Sequence, residues 1–349
     1  MNWIEDTHYL QIDATSYCNA GCGTCARFVP ETLEVQPYLK LEHFNMDVYR
    51  KLIEEDIKDL PNMKAVFFNG NWGDAVMHPD LIEMCRIARR AGLYIKISTN
   101  GAPRTPKWWS ELAEVLGGPN SEYGEVIFCI DGIDNESNAM YRAKTKYDKI
   151  IRNLRAFTDA GGNSVWKITV FNYNMDQIDR AEELAREYGC FRFVSRKNYQ
   201  RQYPGSKIVY PTHVVGTDLP TKKDYRNVVL KRVNSEVDKY ISIQGMKQSH
   251  EQKESQCPWY SEGGVQIDPH GTVWPCCITS QTKYGEEQWG GTVDPIKDFT
   301  NLASDSTFSL KKNSLKEILA GEFYAEMLEN KINNASFNMC VEECGVKRL

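Results

Sequence analysis

The segment Tyr-Cys-Asn-Ala-Gly-Cys-Gly-Thr-Cys sets thiols at Cys18, Cys22 and Cys25, padded by small residues. Three is an odd number for a disulfide framework, and a structural zinc site wants four ligands, usually as two pairs. Three thiolates on one small-residue loop can wrap one face of an iron–sulfur cluster and leave one iron without a protein ligand. That open iron is the chemistry such a loop offers.

A second group lies in the last hundred residues: Cys257, Cys276, Cys277, Cys340 and Cys344. Four of these could hold zinc or a further cluster, and residue types alone leave both open. Cys85 and Cys190 sit in apolar-periodic surroundings, where a free cysteine packs as a small hydrophobe.

The chain around these residues has 349 positions, 41% hydrophobic and 26% charged, which supports a sizeable core and about two domains. The formal net charge is −5 and there is no long basic block, so no nucleic-acid surface is evident. No apolar run approaches the ~18 residues of a membrane span, and the N-terminus lacks a signal peptide's charged start and apolar centre. The expected compartment is the cytoplasm, where eleven cysteines read as metal ligands before disulfides.

The elements that must position the first loop are a strand–helix series. β-branched or aromatic runs occur at 9–15, 64–70, 93–99, 125–131, 165–171 and 190–194. Between them lie segments with apolar residues at three- and four-residue spacing, several ending in glycine, as in RRAG, DAGG and REYG. Alternation of this kind predicts an α/β fold with a parallel sheet curling into a full or partial barrel, its chemistry at the C-terminal strand ends. The cysteine loop follows the first strand directly. Residues 201–250 read as a polar connector with one helical stretch near 221–235. A second unit is expected over 251–349, opening with a hairpin that turns at Pro269-His270-Gly271 and continuing into a helix from Ser314.

Cys18-x3-Cys22-x2-Cys25 after the first strand of a six-fold βα series resembles the radical SAM superfamily. The resemblance implies a partial (β/α)6 barrel over 1–200, a [4Fe–4S] cluster on these three cysteines, and S-adenosylmethionine (SAM) on the fourth iron. Phe-Phe-Asn-Gly-Asn-Trp-Gly-Asp at 67–74 resembles the family's turn after the second strand, which binds the SAM amino group. Gly73 is kept there, while Asp74 stands where Glu is usual and Trp72 where a glycine is usual. The alternative for Asp74 is a helix cap or turn residue. Ser98-Thr-Asn100-Gly resembles the motif lining the cofactor pocket after the third strand. Cys129-Ile-Asp131-Gly resembles the family's Ser-x-Asp-Gly, with a thiol in the serine's place. Arg142 falls where the family binds the methionyl carboxylate, a role suited to a planar fork. Asn172 follows the fifth strand, in a loop that often approaches the adenine.

Cys257, the Gly271-x4-Cys276 spacing, the helix from Ser314, and Cys340-x3-Cys344 resemble the family's SPASM/twitch extension. That implies one auxiliary [4Fe–4S] cluster on Cys257, Cys276, Cys340 and Cys344 in a small α+β domain, with Cys277 unassigned. The implied reaction is reductive cleavage of SAM to a 5′-deoxyadenosyl radical and hydrogen abstraction from a substrate C–H. The auxiliary cluster would then support net oxidation, and flavodoxin or ferredoxin would supply electrons. Only about eight residues precede the first strand, so no leader-binding domain is expected. The substrate is therefore expected to be a small sugar-like or nucleoside-like molecule, or a peptide. The altered turn at 70–74 and Cys129 favour the rival expectation, a non-catalytic iron–sulfur or zinc scaffold on the same fold.

Overall fold

The six short β-branched or aromatic runs produce strands that can bury both faces. In the computed structural model, which describes residues 2–23, 25, 27–29, 32–118, 123–197, 225–231, 259, 262–281 and 306–328, all six form. They are β1 (Tyr9–Ile12), β3 (Ala65–Phe68), β4 (Tyr94–Thr99), β5 (Gly124–Cys129), β7 (Asn163–Val170) and β8 (Arg192–Lys197). They pair in parallel in chain order, β1 on β3, β3 on β4, β4 on β5, β5 on β7 and β7 on β8. The two-residue strands β2 (Gly21–Cys22) and β6 (Arg142–Ala143) form a separate antiparallel ribbon.

Helices cross between the strands: α2 (Met46–Glu54), α3 (Leu81–Arg90), α4 (Pro106–Val115), α6 (Tyr147–Asp159) and α7 (Ile178–Glu187), with the short α1 (Trp3–Asp6) and α5 (Asn135–Tyr141) besides. Their starts are written in the sequence. Thr105 accepts from the Trp108 amide ahead of Pro106, and Asp134 and Ser137 form a reciprocal capping box. Gly92 ends α3 in the left-handed region at φ 75°.

The strand residues facing the helices (Leu10, Ile12, Val66, Phe68, Ile95, Ile97, Val126, Phe128, Trp166 and Ile168) form the main core. The opposite, inner face is mixed. Ile127, Cys129, Val165 and Val194 make a small apolar cluster there with Phe191 and Phe67. Below it Glu125 is held between Lys96 (3.1 Å) and Arg192 (3.1 Å). Isolated burial of such a carboxylate would be prohibitive, and the two cations keep its pKa below the ordinary value despite its desolvation.

Two expectations are corrected. Where a helical stretch is expected near 221–235, residues 226–229 form strand β9 (Arg226–Val229), antiparallel to β8 at the sheet edge; 221–224 and 232–235 lie outside the described residues. Val228 and Val229 are β-branched, and pairing with β8 overrides a weak helical period. The hairpin expected to open a second unit continues the main sheet. Its first strand β10 (Gly264–Ile267) pairs in parallel with β1, and β11 (Val273–Trp274) returns antiparallel on β10. All four β10 residues are buried, as a strand inside a parallel sheet must be. The described sheet therefore runs β11-β10-β1-β3-β4-β5-β7-β8-β9, a mostly parallel partial barrel.

Beyond the hairpin come α8 (Cys277–Gln281) and α9 (Leu315–Ala320). The single helix expected from Ser314 breaks at Gly321, whose extended backbone separates α9 from a π-helical turn at Phe323–Met327. Leu315 donates its amide to Asp56, and Trp3 meets Tyr324 edge-on at 5.4 Å, which fastens this segment over the N-terminal helices. Among the described residues, no helix is long and apolar enough to cross a membrane.

Candidate cofactor site at the strand ends

Loops leaving the C-terminal ends of β1, β3, β4, β5 and β7 meet at one mouth of the sheet. Cys22 is buried within an apolar cluster of Ala20, Tyr141 and Phe171, and Cys18 and Cys25 pack against the same cluster half-buried. Burial is the first cause that pushes all three thiols up in pKa, Cys22 to about 12, and mutual proximity adds to the effect at Cys18 and Cys22. Unaided, such thiols stay protonated; a bound cationic centre is what stabilises them as thiolates. Among the described residues no three ligating side chains converge as one metal ion needs. A cubane, whose irons are spread over its corners, takes its thiolates from a wider ring.

The ribbon β2–β6 ties the loop to its cation. Cys22 pairs with Arg142 through the backbone, and a guanidinium nitrogen of Arg142 lies 3.7 Å from the Cys22 sulfur. Arg142 Nε donates to Asp131 at 2.6 Å, and the Thr169 amide donates to the other Asp131 oxygen at 2.7 Å. Burial alone would lower the Arg142 pKa, yet Asp131 and then Cys22 hold it well above its ordinary value. The site thus carries a permanently charged fork with one nitrogen anchored.

Gly73 sits where two loops touch. A Cβ there would lie 2.1 Å from the carbonyl oxygen of Thr15 and 2.7 Å from that of Tyr17, so only glycine lets the 67–74 turn approach the cysteine loop. The next amide, Asp74, donates to Tyr17 at 2.8 Å.

Asp74 is buried, and its oxygens accept from Val76, the Thr99 hydroxyl, and both the backbone and side-chain nitrogens of Asn100. It is a turn-capping carboxylate in geometry, the alternative weighed from its sequence. A substrate ammonium would have to replace one of these donors. Burial raises its pKa, against the lowering by these hydrogen bonds. Asn100 carries the connection onward, donating to Asn19 at 2.9 Å and lying 3.8 Å from the Cys18 sulfur.

Ser98 and Cys129 meet on the inner wall at 3.5 Å, so the replacement of serine by cysteine at 129 leaves a weakly hydrogen-bonded thiol facing Ser98. Asn172 lies in the loop after β7, and its buried Oδ1 has no protein partner among the described residues. The structure thus gathers Cys18, Cys22, Cys25, Gly73, Asp74, Asn100, Asp131 and Arg142 into one network, with Ser98 and Cys129 on the adjoining wall.

Of the second cysteine group, Cys276 and Cys277 are described, while Cys257, Cys340 and Cys344 lie outside the described residues. The Cys276 sulfur accepts from the Thr279 amide at 3.4 Å at the start of α8. The Asn71 side chain bonds Ser280 at 3.0 Å, while its amide donates to Asp13. The 67–74 turn therefore touches both cysteine regions. Sequence reasoning missed Arg27, which is buried between the cysteine loop and this turn and donates to the carbonyls of Ser16 and Trp72. Nothing in its spacing marked it.

The thiol donor set, the two adjacent cations and the orphaned Asn172 oxygen fit an iron–sulfur cluster with a polar ligand beside it. Residues 257–345 match the SPASM model, an iron–sulfur cluster-binding domain. Mycofactocin maturase MftC of Mycolicibacterium smegmatis is 29% identical over 141 residues, 40% of this chain and 34% of that protein. The tungsten-containing aldehyde ferredoxin oxidoreductase cofactor-modifying protein of Pyrococcus furiosus is 31% identical over 107 residues, 31% of this chain and 28% of that protein. The matched stretch thus spans about a third of each of these curated relatives.

In fold, the chain is similar to SuiB of Streptococcus suis (TM-score 0.56, 14% identity, 93% of this chain and 68% of that one). It is equally similar to anSMEcpe solved with bound AdoMet (TM-score 0.56, 15% identity, 91% of this chain and 82% of that one). Residues 257–345 thus match the iron–sulfur cluster-binding SPASM domain, and the partial barrel ahead of them, with its three-cysteine loop, is similar in fold to AdoMet-bound anSMEcpe and resembles the radical SAM proteins.

Proposed function

We propose that this chain is an enzyme that uses SAM at the Cys18/Cys22/Cys25 cluster to abstract hydrogen from a C–H bond of a peptide. The observation that carries this reading is the packing of buried Cys22 and half-buried Cys18 and Cys25 around one apolar cluster, beside the Asp131-anchored Arg142 at one mouth of the sheet. When bound, the cluster and SAM supply a one-electron reductive cleavage, giving methionine and a 5′-deoxyadenosyl radical that takes the substrate hydrogen.

The chain's own residues bind and orient. Arg142, with Nε committed to Asp131, offers its remaining nitrogens to the methionyl carboxylate. Asp74 and Asn100 hold the turn against the cysteine loop, with Asp74 as the carboxylate nearest the SAM ammonium. Ser98 and Cys129 line the cofactor wall, and the Asn172 oxygen offers an acceptor to the adenine amino group. The apolar cluster around Cys22 excludes water from the reduced centre.

The peptide assignment is supported by two fold neighbours solved with peptides, SuiB with precursor peptide SuiA and anSMEcpe with the Kp18Cys peptide. In this reading Cys257, Cys276, Cys340 and Cys344 hold one auxiliary cluster suited to net oxidation, and a flavodoxin or ferredoxin delivers electrons. The test is anaerobic reconstitution followed by assay of 5′-deoxyadenosine with dithionite and SAM. If the protein with intact clusters makes none under any reductant tried, the non-catalytic scaffold becomes the better reading.

The same preparation gives a direct count. About eight irons and eight sulfides are expected per chain, two [4Fe–4S] clusters, and about four of each should remain in a Cys18/Cys22/Cys25→Ala variant. Zinc in the second site of protein purified without air would remove the auxiliary cluster from this account.

Arg142→Ala should weaken SAM binding more than Arg142→Lys, because the first removes the charge and the second replaces a fork with a point charge. It should also destabilise the fold by roughly 3–5 kcal/mol, since it leaves the fully buried Asp131 without its cation. Isothermal titration with SAM and a denaturant melt read the two effects separately; unchanged SAM affinity in Arg142→Ala removes Arg142 from the cofactor site.

A further inference from the structure

Arg27 lies two positions beyond Cys25, and its side chain is 2% exposed. One guanidinium nitrogen donates to the carbonyl of Ser16, just ahead of Cys18, and to that of Trp72 at 2.6 Å, just ahead of Gly73. Among the described residues its buried Nε has no acceptor, and no carboxylate pairs with it. Its guanidinium carbon lies 5.3 Å from the Phe28 ring centroid, a weak compensation. The groups that act on its charge, after desolvation, are Cys18 and Cys25.

A buried guanidinium with neither a carboxylate nor a full set of acceptors is costly, by several kcal/mol per uncompensated ion. Two carbonyl dipoles do not repay that. Arg27 is tied to the loop that carries Cys18 and Cys25, and a cluster held on that loop would bring the negative charge that repays it. Net charge and hydrogen bonds to sulfur are also what set the potential of an iron–sulfur centre.

We propose that Arg27 is a positioning residue that pins the cysteine loop to the 67–74 turn and supplies the buried counter-charge that sets the reduction potential of the Cys18/Cys22/Cys25 cluster. The proposal rests on the reading of these cysteines as cluster ligands. Arg142 is already neutralised by Asp131, whereas buried Arg27 has no carboxylate partner among the described residues. A positive charge beside the centre favours its reduced form, and loss of that charge disfavours it.

The test is a redox titration of reconstituted full-length protein, following the electron paramagnetic resonance signal that changes when SAM is added. In Arg27→Gln, the ratio of reduced to oxidised cluster at fixed ambient potential should fall about tenfold, equal to ~59 mV for one electron. Arg27→Lys, which keeps the charge, should stay within about twofold of wild type, or ~18 mV by the same constant. An unchanged potential in an iron-replete Arg27→Gln overturns the proposal. So does an Arg27→Lys that shifts as far as the glutamine variant, because packing and not charge would then be at work. If Arg27→Gln takes up no iron at this site, Arg27→Lys must still take up its full complement; failure of both variants overturns the counter-charge. Wild-type iron content unaffected by Cys18/Cys22/Cys25→Ala would instead overturn the cysteine assignment, and Arg27 with it.

Discussion

Replacing any one of Cys18, Cys22 or Cys25 with alanine should abolish release of 5′-deoxyadenosine from SAM under dithionite, with or without substrate. In the proposed site each thiol supplies one of the three protein ligands, and all three pack on the same apolar cluster. A centre missing one thiolate keeps neither its geometry nor its potential. Replacing Cys340 or Cys344 should have a different outcome: SAM cleavage stays measurable while product from the true substrate is lost. The contrast arises because the first group caps the end of β1 and the second belongs to the SPASM segment at 257–345. Chromatography of 5′-deoxyadenosine checks the first half, and product analysis the second. Full cleavage by a Cys22→Ala protein would contradict the ligand assignment.

Gly73→Ala should have an effect of comparable size by a purely steric route. The added methyl would meet backbone carbonyls of Thr15 and Tyr17, neither of which can swing away as a flexible side chain would. Relief requires the 67–74 turn to retreat from the cysteine loop, breaking the Asp74-to-Tyr17 amide bond and displacing the Asp74–Asn100 connection. Forced overpacking of this kind costs typically ~1–3 kcal/mol or more. Because the strain falls at the site, iron uptake and SAM affinity should drop by much more than global stability. Iron analysis beside a thermal melt separates the two, and a Gly73→Ala protein with wild-type iron and SAM affinity would refute the close approach.

The legible parts of this molecule were those in which one local signal sufficed. Six apolar runs alternating with helical periods gave the parallel order, because crossover helices and buried strands each leave a period in the sequence. The cysteine loop was legible because three thiols in eight residues have few uses. The strand at 226–229 was not, since edge pairing with β8 decided it. The placement of β10 beside β1 was not either. A hairpin pattern reports its own turn, not the strand it will lie against. The carboxylate at Asp74 was legible from its turn, but its bonds to Thr99 and Asn100 come from a neighbouring strand end and carry no sequence mark. Arg27 was invisible for a simpler reason: an arginine near a loop is ordinarily a solvated one.

The pairing of β1 with β10 bears on the order in which the chain takes shape. Tyr9 lies beside Gly264 and Ile12 beside Ile267, so β1 has one neighbour made early in synthesis and another made late. Contacts between such distant parts of a chain close slowly, because the entropy of the long loop must be overcome before the pairing offers any return. Until β10 arrives, one edge of a fully buried strand stands open, and its unpaired amides and carbonyls invite other strands. The oxygen-sensitive thiols hang from the end of that same strand. The strand that presents them is therefore paired on both sides only once residues 264–267 have been made and folded back.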